Sequence, residues 1–350
     1  MILAGDIGGT KTHLALFEVA AAAPAPPRAR LIKRAHETFA SREHETLDGI
    51  VDQFLGRHTD RREAGGGNRG ALHACFGIAG PIRDQRVETT NLPWRIDARE
   101  MERKNQLDSL VLLNDLEANA HGIAMLGNED VAVIQAGSPE ARGNGAVISA
   151  GTGLGEAGLF WDGSVHHPMA SEGGHADFAP SNEIEDELLR YLRARVGGHV
   201  SWERVLSGPG LLDLYCFLRD TGRGEESLAL RETLAAGDPG AVISIEASRD
   251  PNSLPGRALD LFVSLYGAEA GNVALKFLSV GGIWIGGGIA PKNLPRLSDG
   301  RFLAAFLNKG RLRPVLEAIP VQVILNQETA LLGAAKRALQ SADSPPEARA

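Results

Sequence analysis

The sequence contains only two cysteines in 350 residues, Cys75 and Cys216. They lie far apart, so they give neither a disulfide framework nor the ligand spacing of a zinc site, and a reducing compartment is favoured. An excess of positive charge is also absent, because 36 basic residues face 44 acidic ones for a net charge of -8. No global field would attract a polyanion, so we expect no nucleic-acid partner.

Long apolar runs are missing as well. The longest, residues 280–289, is interrupted by five glycines and is too short to cross a bilayer. The first residues, MILAGDIGGT, lack the basic region that opens a signal peptide. We therefore expect a soluble, cytoplasmic protein without a membrane partner.

Glycine, by contrast, is abundant, with 42 residues that gather in clusters. The first cluster lies between two β-type runs, which predicts a hairpin. Backbone N–H groups at such a turn can bind phosphate oxygens because no side chains shield them. The candidate phosphate-binding residues are Gly5, Asp6, Ile7, Gly8, Gly9 and Thr10. The Asp6 carboxylate is a candidate Mg²⁺ ligand, directly or through water, although a plain hairpin turn remains an alternative.

A second glycine turn, Gly151-Thr152-Gly153, follows about 145 residues later, again between two β-type runs. It is not a dinucleotide fingerprint, since no helix follows it, and it lacks the GK[ST] of a Walker A loop. A third cluster contains Gly287 and Gly288 at the end of an apolar run. Its bare backbone would let a nucleoside base or ribose approach, with close helix–strand packing as the alternative.

The order of the predicted elements indicates an α/β fold in two similar halves. Strands are predicted near 2–5, 12–19, 72–78, 109–113, 131–135, 146–149, 157–161, 282–285 and 321–325, and helices near 47–55, 115–125, 183–196, 201–206, 209–220, 227–236, 255–278 and 328–339. Residues 20–29 and 65–67 are expected to be surface loops. We expect a small domain of residues 1–125 plus 328–350, a large domain of residues 126–327, and a cleft between them.

Asp115 lies two residues after the end of the predicted strand 109–113. A carboxylate at a strand end is well placed to take a proton from a hydroxyl group, which is the role of a general base. Asn114 and Asp115 also precede a helical pattern, and both residue types are favoured helix caps. Either reading accounts for the pattern.

Candidate ligand-binding residues with polar side chains come from two later segments. Two glycines separate Glu172 from His175, which allows a tight loop with both side chains on one side. Glu203 could add a third polar group to a site for a hydroxyl-bearing ligand, because a hydroxyl both donates and accepts a hydrogen bond. The alternatives are a structural histidine, a surface glutamate, and a capping box that begins at Ser201. A zinc site at His175 would lack further ligands at suitable spacing.

The motifs occur in a recognisable order: DxGGT from Asp6, LND at Asn114, AGTGLG around Thr152, EGGHxDF from Glu172, and then SxERVLSGPGL and GGIxxGGGIAP. This series resembles the bacterial glucokinase family of the hexokinase/actin-like ATPase superfamily, over nearly the whole chain. The cysteine-rich zinc motif of the related ROK sugar kinases is missing, which favours the non-ROK branch.

The resemblance implies a two-lobed actin-like ATPase fold with a duplicated RNase-H-like core and a central cleft. It also implies phosphorylation of D-glucose to glucose 6-phosphate by ATP with Mg²⁺, in a homodimer. Asp115 then corresponds to the catalytic base, and the glucose ligands are Asn114, Asp115, Glu172, His175 and Glu203. Asn91 lies where the family has a TN…W segment near the sugar, with a turn role before Pro93 as the alternative.

Other functions remain open at this point. The same scaffold could serve another hexose or an amino sugar, and a backbone cradle does not distinguish ATP from ADP or polyphosphate. A non-catalytic, sugar-sensing regulator would need a DNA-binding segment, yet the first phosphate turn begins at residue 6 and the charge is unsuited to DNA. We therefore expect an enzyme.

Overall fold

A computed structural model describes residues 1–20, 30–59, 71–89 and 92–343. In these residues the chain forms two mixed β-sheets, one two-stranded antiparallel sheet and the helices that pack on them. The strands are β1 Ile2–Ile7, β2 Lys11–Val19, β3 Leu31–Ala40, β4 His73–Ile78, β5 Arg86–Glu88, β6 Arg95–Asp97, β7 Ser109–Asn114, β8 Val131–Gln135, β9 Gly145–Ala150, β10 Leu154–Trp161, β11 His166–Ala170, β12 Gly282–Gly286 and β13 Val321–Ile324.

The α-helices described are α1 Leu47–His58, α2 Ala98–Lys104, α3 Asp115–Ile123, α4 Glu183–Val196, α5 Gly208–Asp220, α6 Leu228–Ala236, α7 Pro239–Arg249, α8 Leu254–Phe277, α9 Ile289–Lys292, α10 Leu294–Leu297, α11 Arg301–Leu307, α12 Arg313–Glu317 and α13 Thr329–Asp343. Short 3₁₀ turns include Ser41–Glu43, Gly173–His175 and Trp202–Arg204. The structure divides into a first unit of Met1–Gly127 with Asn326–Ala350, and a second unit of Asn128–Leu325.

The first unit is built on a five-stranded sheet in the order β3–β2–β1–β4–β7. The strands β1, β2 and β3 are antiparallel neighbours, whereas β1, β4 and β7 run parallel. Alternate side chains of β1 and β4 enter different cores, because successive residues of a strand point to opposite faces. Leu3 and Phe76 pack with α1, and Ala4 and Cys75 pack with α13.

Small residues bring α3 and α13 unusually close together. A Cβ atom at Gly122 would overlap the Thr329 carbonyl, and one at Gly333 would overlap the Ala118 carbonyl. A Cβ at Gly77 would lie 2.7 Å from that of Ala118. This packing holds the start of α3 against the end of β4.

The second unit contains a six-stranded sheet in the order β11–β10–β9–β12–β13–β8. Its strands β9, β10 and β11 are antiparallel neighbours, and β9, β12 and β13 run parallel. The antiparallel strand β8 extends this sheet at the edge next to β13. A large helical core packs on the sheet, with α8 buried along most of its length.

The two sheets therefore share one topology, in which an antiparallel three-strand meander continues into two parallel strands. This confirms the α/β class and the duplicated core that the resemblance implied. The predicted helix at 201–206 is instead a single 3₁₀ turn, Trp202–Arg204. Of the loops predicted at 20–29 and 65–67, residues 21–29 and 65–67 lie outside the described residues. In the described part of the chain, no helix combines the length and hydropathy needed to cross a membrane.

Candidate active site

The first glycine turn connects β1 to β2. Gly8 N–H donates to the Lys11 carbonyl at 2.9 Å, which closes the turn. Ser41 Oγ donates to the Gly8 carbonyl at 2.8 Å, and Ser41 N–H donates to the Thr10 carbonyl at 3.0 Å. The carbonyl groups of the turn are therefore bound by Ser41. The N–H groups of Gly9 and Thr10 make no hydrogen bond to other described residues, so they are available to an anion.

Other predicted members of this phosphate cradle have packing roles. Ile7 is 2% exposed and belongs to the core beside α1. A Cβ at Gly5 would lie 2.6 Å from Phe76 Cδ1, so glycine is required there for close packing within the sheet. Of the predicted cradle residues, Gly9 and Thr10 are therefore the two whose backbone N–H groups could bind phosphate oxygens.

Asp6 ends up electrostatically coupled to Asp115. Burial, together with a smaller contribution from the negative charge of Asp115, raises the pKa of Asp6 to about 6. Two carboxylates that destabilise each other in this way provide a favourable place for a divalent cation. Asp6 therefore fits the predicted Mg²⁺ role.

Within the described residues, no group of three or more His, Cys, Asp or Glu side chains is arranged to hold a metal ion. Any cation at Asp6 would then complete its shell with water and nucleotide oxygens, as Mg²⁺ commonly does. Asp177, the acidic residue nearest to His175 in the sequence, pairs with His199 at 3.0 Å.

Asn114 and Asp115 lie where β7 passes into α3. Asn114 is the helix N-cap: its Oδ1 accepts from Leu116 N–H at 2.9 Å, and its Nδ2 donates to the Gly80 carbonyl at 3.2 Å. The capping alternative is thus realised by Asn114. Its amide keeps one further donor and lone pair for a ligand.

Asp115 is the first residue of α3 and is partly exposed. One carboxylate oxygen accepts from Leu116 N–H at 2.9 Å, which orients the group at the helix N-terminus. The positive end of the helix dipole stabilises the ionised carboxylate there. Asn91, the remaining candidate from this half of the chain, lies outside the described residues.

In the second unit, the turn at residues 151–153 connects β9 to β10. Gly151 N–H donates to the Gly153 carbonyl, and Gly208 N–H at the start of α5 donates to the Gly151 carbonyl, each at 2.8 Å. Glu203 Oε2 accepts from Leu154 N–H at 2.9 Å. A Cβ at Gly153 would overlap that same oxygen, so glycine lets Glu203 reach the turn.

The loop that carries Glu172 and His175 rests on β10. Gly173 and Gly174 form the 3₁₀ turn between them, and a Cβ at Gly174 would overlap the Leu154 carbonyl. Both predicted sugar ligands are exposed. Leu154 therefore contacts Glu203 through its N–H and the backbone of this loop, at Gly174, through its carbonyl. Ser201 makes no capping bond, so the alternative capping box is wrong.

The third glycine cluster lies beside the second glycine turn. Gly287 has φ +82°, and a Cβ there would overlap the Ala150 carbonyl. The hydroxyl of Tyr266, deep in α8, joins the two strands that lead into these clusters. It accepts from Ala150 N–H at 3.1 Å and lies 3.2 Å from the carbonyl oxygens of Ile148 and Gly286, to which it can donate.

A pocket of about 590 Å³ opens between these two clusters. Its lining comes from the second glycine turn, the N-terminal turns of α5 and α7, and the segment that starts at Gly288. The lining residues outside the predicted clusters are Gly208, Pro209, Leu211, Leu212, Asp238, Pro239, Gly240, Ala241, Ser244, Ile289, Lys292 and Asn293. The pocket has the size of a site for a small ligand such as a nucleoside.

Several of these residues were missed by sequence reasoning. Asp238 caps α7 and is followed by Pro239 at the first helical position, a start signal that could have revealed this helix. Ser41 and Tyr266 carried no local signal, since each acts on a turn far away in the sequence.

Comparison with known proteins gives consistent results. A family model described as Glucokinase matches residues 3–341. The chain is 40% identical over 352 aligned positions to a glucokinase of Nostoc sp., covering 96% of this chain and 98% of that protein. It is 37% identical to a glucokinase of Yersinia enterocolitica, with coverage of 95% and 94%.

Among solved structures, a glucokinase from an Antarctic psychrotroph superposes with a TM-score of 0.80 at 29% identity, covering 97% of this chain and 98% of that one. A glucokinase from Balamuthia mandrillaris, solved with glucose, superposes with a TM-score of 0.74 at 20% identity. It covers 97% of this chain and 93% of that one, and at this identity it supports the fold.

Proposed function

Because this chain belongs to the glucokinase family, it is an ATP-dependent hexose phosphotransferase, and we propose that Asp115 is its general base. The observation that carries the proposal is the place of Asp115 at the junction of β7 and α3, partly exposed and coupled to Asp6. A sugar hydroxyl is a weak nucleophile until its proton is removed. A carboxylate held at a helix N-terminus can take that proton as the bond to phosphorus forms.

The sugar in this proposal is D-glucose, and its product is glucose 6-phosphate. Glu172, His175 and Glu203 would bind its hydroxyls, together with Asn114 and Asn91. The support is that Leu154 contacts both Glu203 and the loop that carries Glu172 and His175, and that glycines at 153 and 174 are required for these close approaches. A site with several fixed donors and acceptors would discriminate against sugars that lack a matching hydroxyl.

The nucleotide in this proposal is bound by backbone groups. The N–H groups at Gly9 and Thr10, and the turn of Gly151, Thr152 and Gly153, would hold phosphate oxygens. The adenosine part would occupy the 590 Å³ pocket next to Gly287 and Gly288. This arrangement would explain how a protein of net charge -8 binds a polyanion.

Mg²⁺ would be held by Asp6, directly or through water. When bound, the cation would neutralise part of the phosphate charge that develops during transfer. Asp6 would keep the cation in place, and Ser41 would keep the adjacent turn in shape.

Replacement of Asp115 by Asn tests the proposal. We expect kcat to fall by about 10²–10⁴-fold, because the amide cannot take the proton. Glucose binding should persist, since an amide still forms hydrogen bonds. Steady-state kinetics in a coupled assay and calorimetric titration with glucose measure the two quantities.

Asp97→Asn is a matched control, because Asp97 is also an aspartate at a helix start, where it caps α2. This variant should keep its kcat. Near-normal turnover of the Asp115 variant would remove Asp115 from the chemistry.

Donor, acceptor and assembly are tested separately. A panel of hexoses and amino sugars, each assayed with ATP, ADP and polyphosphate, should show the highest kcat/KM for glucose with Mg-ATP. We also propose a cytoplasmic homodimer. Light scattering should then give a mass of about twice 37.1 kDa, and cell fractionation should recover the protein in the cytosol.

A further inference from the structure

A buried pair of carboxyl groups lies beneath the loop that carries Glu172 and His175. Glu156 is on β10 and is 1% exposed, and Glu269 is on α8 and is 0% exposed. Neither residue has a role in the mechanism described above. A charged side chain in such a position is costly unless it is paired or neutralised.

Glu269 has more hydrogen-bond donors around it than Glu156 has. Glu269 accepts from Asn272 Nδ2 at 2.7 Å and from Lys276 Nζ at 3.0 Å. Glu156 lies close enough to Glu269 for the two carboxyl groups to interact, and its Oε1 atom has no hydrogen-bond partner among the described residues. Two carboxyl groups can share a hydrogen bond only if one of them is protonated. Glu156 has fewer donors around it, so it is the group that keeps the proton.

Glu156 also supports the loop directly. A Cβ at Gly173 would overlap Glu156 Oε2, so the backbone of this loop lies against the carboxyl group. Ser171 Oγ accepts from Gly173 N–H at 2.9 Å and tightens the same turn. A movement of the Glu156 carboxyl group would therefore displace the residues that flank Gly173.

We propose that Glu156 is a positioning residue whose proton, shared with Glu269, keeps the loop of residues 171–175 in its sugar-binding conformation. The inference rests on the proposed function, because it requires Glu172 and His175 to be sugar ligands. It assigns Glu156 to the geometry of the acceptor site, and it predicts a pH dependence for sugar affinity.

The electrostatic surroundings agree with a shared proton. Burial raises the pKa of Glu156, the charge of Glu269 raises it further, and Lys276 opposes both. Two other titratable groups interact electrostatically with this pair. Tyr266, which lies on α8 with Glu269, interacts with Glu156, and Lys309, which donates a hydrogen bond to Asn272, interacts with Glu269. Lys276 is 49% exposed, so water weakens its neutralising effect.

The sign of the pH effect follows from the raised pKa. At low and neutral pH the pair holds one proton, and the loop keeps its shape. As the pH rises through the pKa of Glu156, a second negative charge forms beside Glu269 and repulsion disturbs the loop. KM for glucose should therefore rise at alkaline pH, by about tenfold for each 1.4 kcal/mol of lost binding.

The experiment compares pH profiles of the intact enzyme and of Glu156→Gln. Glutamine has the same size and can donate to Glu269 at every pH. In the unmodified enzyme, KM for glucose should rise about tenfold between about pH 7 and about pH 9.5, whereas KM for ATP should stay constant. In Glu156→Gln the rise should disappear, with kcat at neutral pH unchanged within about twofold.

Glu156→Leu provides a contrast, because it fills a similar volume without a donor. We expect a raised KM for glucose at all pH values. If this variant does not fold, the profiles of the unmodified enzyme and of Glu156→Gln still decide the question. A flat profile in the unmodified enzyme, or a rise that persists in Glu156→Gln, would overturn the inference.

Glu172→Ala separates this inference from the proposed function. If Glu172→Ala leaves glucose affinity unchanged, the proposed sugar site fails and the inference fails with it. If Glu172→Ala weakens glucose binding while Glu156→Gln retains the alkaline rise, the sugar site stands and only the positioning role of Glu156 is refuted.

Discussion

At the scale of single residues, Asp6 shows how a carboxyl group of the proposed site can lower stability. Its carboxylate is buried near that of Asp115, and its pKa of about 6 lies well above the usual 3.8. The folded, ligand-free protein therefore binds a proton more tightly at Asp6 than the unfolded chain does. Such a group adds most to stability at low pH, and its contribution falls as the pH rises from about 4 to about 6.

Asp6→Asn should consequently stabilise the ligand-free protein at pH 7. The rise from 3.8 to about 6 corresponds to about 3 kcal/mol at most, and an uncharged amide avoids this cost. Chemical denaturation at a series of pH values measures the effect. The advantage should vanish below about pH 4, where the aspartate is protonated in both states.

The same variant should lose activity with Mg-ATP, since the amide is a weak Mg²⁺ ligand. If Asp6→Asn were only as stable as the original protein at pH 7, the ionised Asp6 carboxylate would not destabilise the folded state. Full activity would show that Asp6 does not hold the cation.

At the scale of secondary-structure elements, α3 depends on glycine for its position. Gly333 on α13 lies against the Ala118 carbonyl, and this contact seats the helix that begins at Asp115. The contact requires the absence of a side chain.

Gly333→Ala should therefore destabilise the protein by about 1–3 kcal/mol, because the methyl group would force α3 and α13 apart. Gly56→Ala is the matched control: Gly56 lies in α1, and a Cβ there meets nothing within 4 Å. The control should be neutral or stabilising by up to about 1 kcal/mol, as expected for a helical glycine. Denaturation midpoints give both values, and equal effects in the two variants would refute the packing argument.

Tyr266 links elements in the second unit. Its hydroxyl contacts the ends of both β9 and β12, from which two glycine clusters emerge. A single buried oxygen thus supports both clusters.

Tyr266→Phe should leave the Ala150 N–H unsatisfied, at a cost of about 1–3 kcal/mol, and should raise KM for ATP several-fold. KM for glucose should change less, since the loop of residues 171–175, which carries the proposed sugar ligands, rests on β10. Tyr191→Phe is the control, because the Tyr191 hydroxyl bonds Asp220 at an exposed position. An unchanged KM for ATP in Tyr266→Phe would separate this hydroxyl from nucleotide binding.

At the scale of the whole molecule, substrate binding is linked to the stability of the folded chain. A ligand that binds only the native state stabilises it, by about 2.7 kcal/mol at a concentration 100 times its Kd. In the proposed site, glucose and nucleotide use different groups, so their effects can be separated by mutation.

Both substrates should raise the thermal midpoint of the original protein. Glu172→Ala should lose the shift caused by glucose and keep the shift caused by a non-hydrolysable ATP analogue. The reason is that Glu172 is proposed to bind glucose and not the nucleotide. Differential scanning fluorimetry at several ligand concentrations measures the shifts. Loss of both shifts would assign Glu172 a general structural role instead.

Local patterns in the sequence were sufficient where the chain interacts mainly with its neighbours. The strand Val131–Gln135 and the helix Glu183–Val196 coincide with their predicted bounds, and both glycine turns lie between antiparallel strands as expected. Apolar periodicity and glycine spacing encode these features within a few residues. The family motifs added the enzyme class, since their order along the chain was visible without a structure.

The elements that were missed have weak local signals. Strand β3 is an edge strand of mostly polar, exposed residues, so its sequence shows no apolar run. Its pairing with β2 provides the order that its own composition does not specify. Helix α7 had a cap and a proline at its start but lay between more strongly patterned segments.

The sequence alone determined which residues had the chemistry for a site: the acids, the amides, the histidine and the glycine turns. Only the tertiary structure decided which residues support these groups. They are Ser41 behind the first turn, Tyr266 between strands β9 and β12, and Glu156 with Glu269 under the loop of residues 171–175. The contacts of Ser41 with Gly8, of Tyr266 with Ala150 and of Glu156 with Glu269 join residues more than thirty positions apart. Folding brings them together through sheet register and helix packing, which no local pattern of residues specifies.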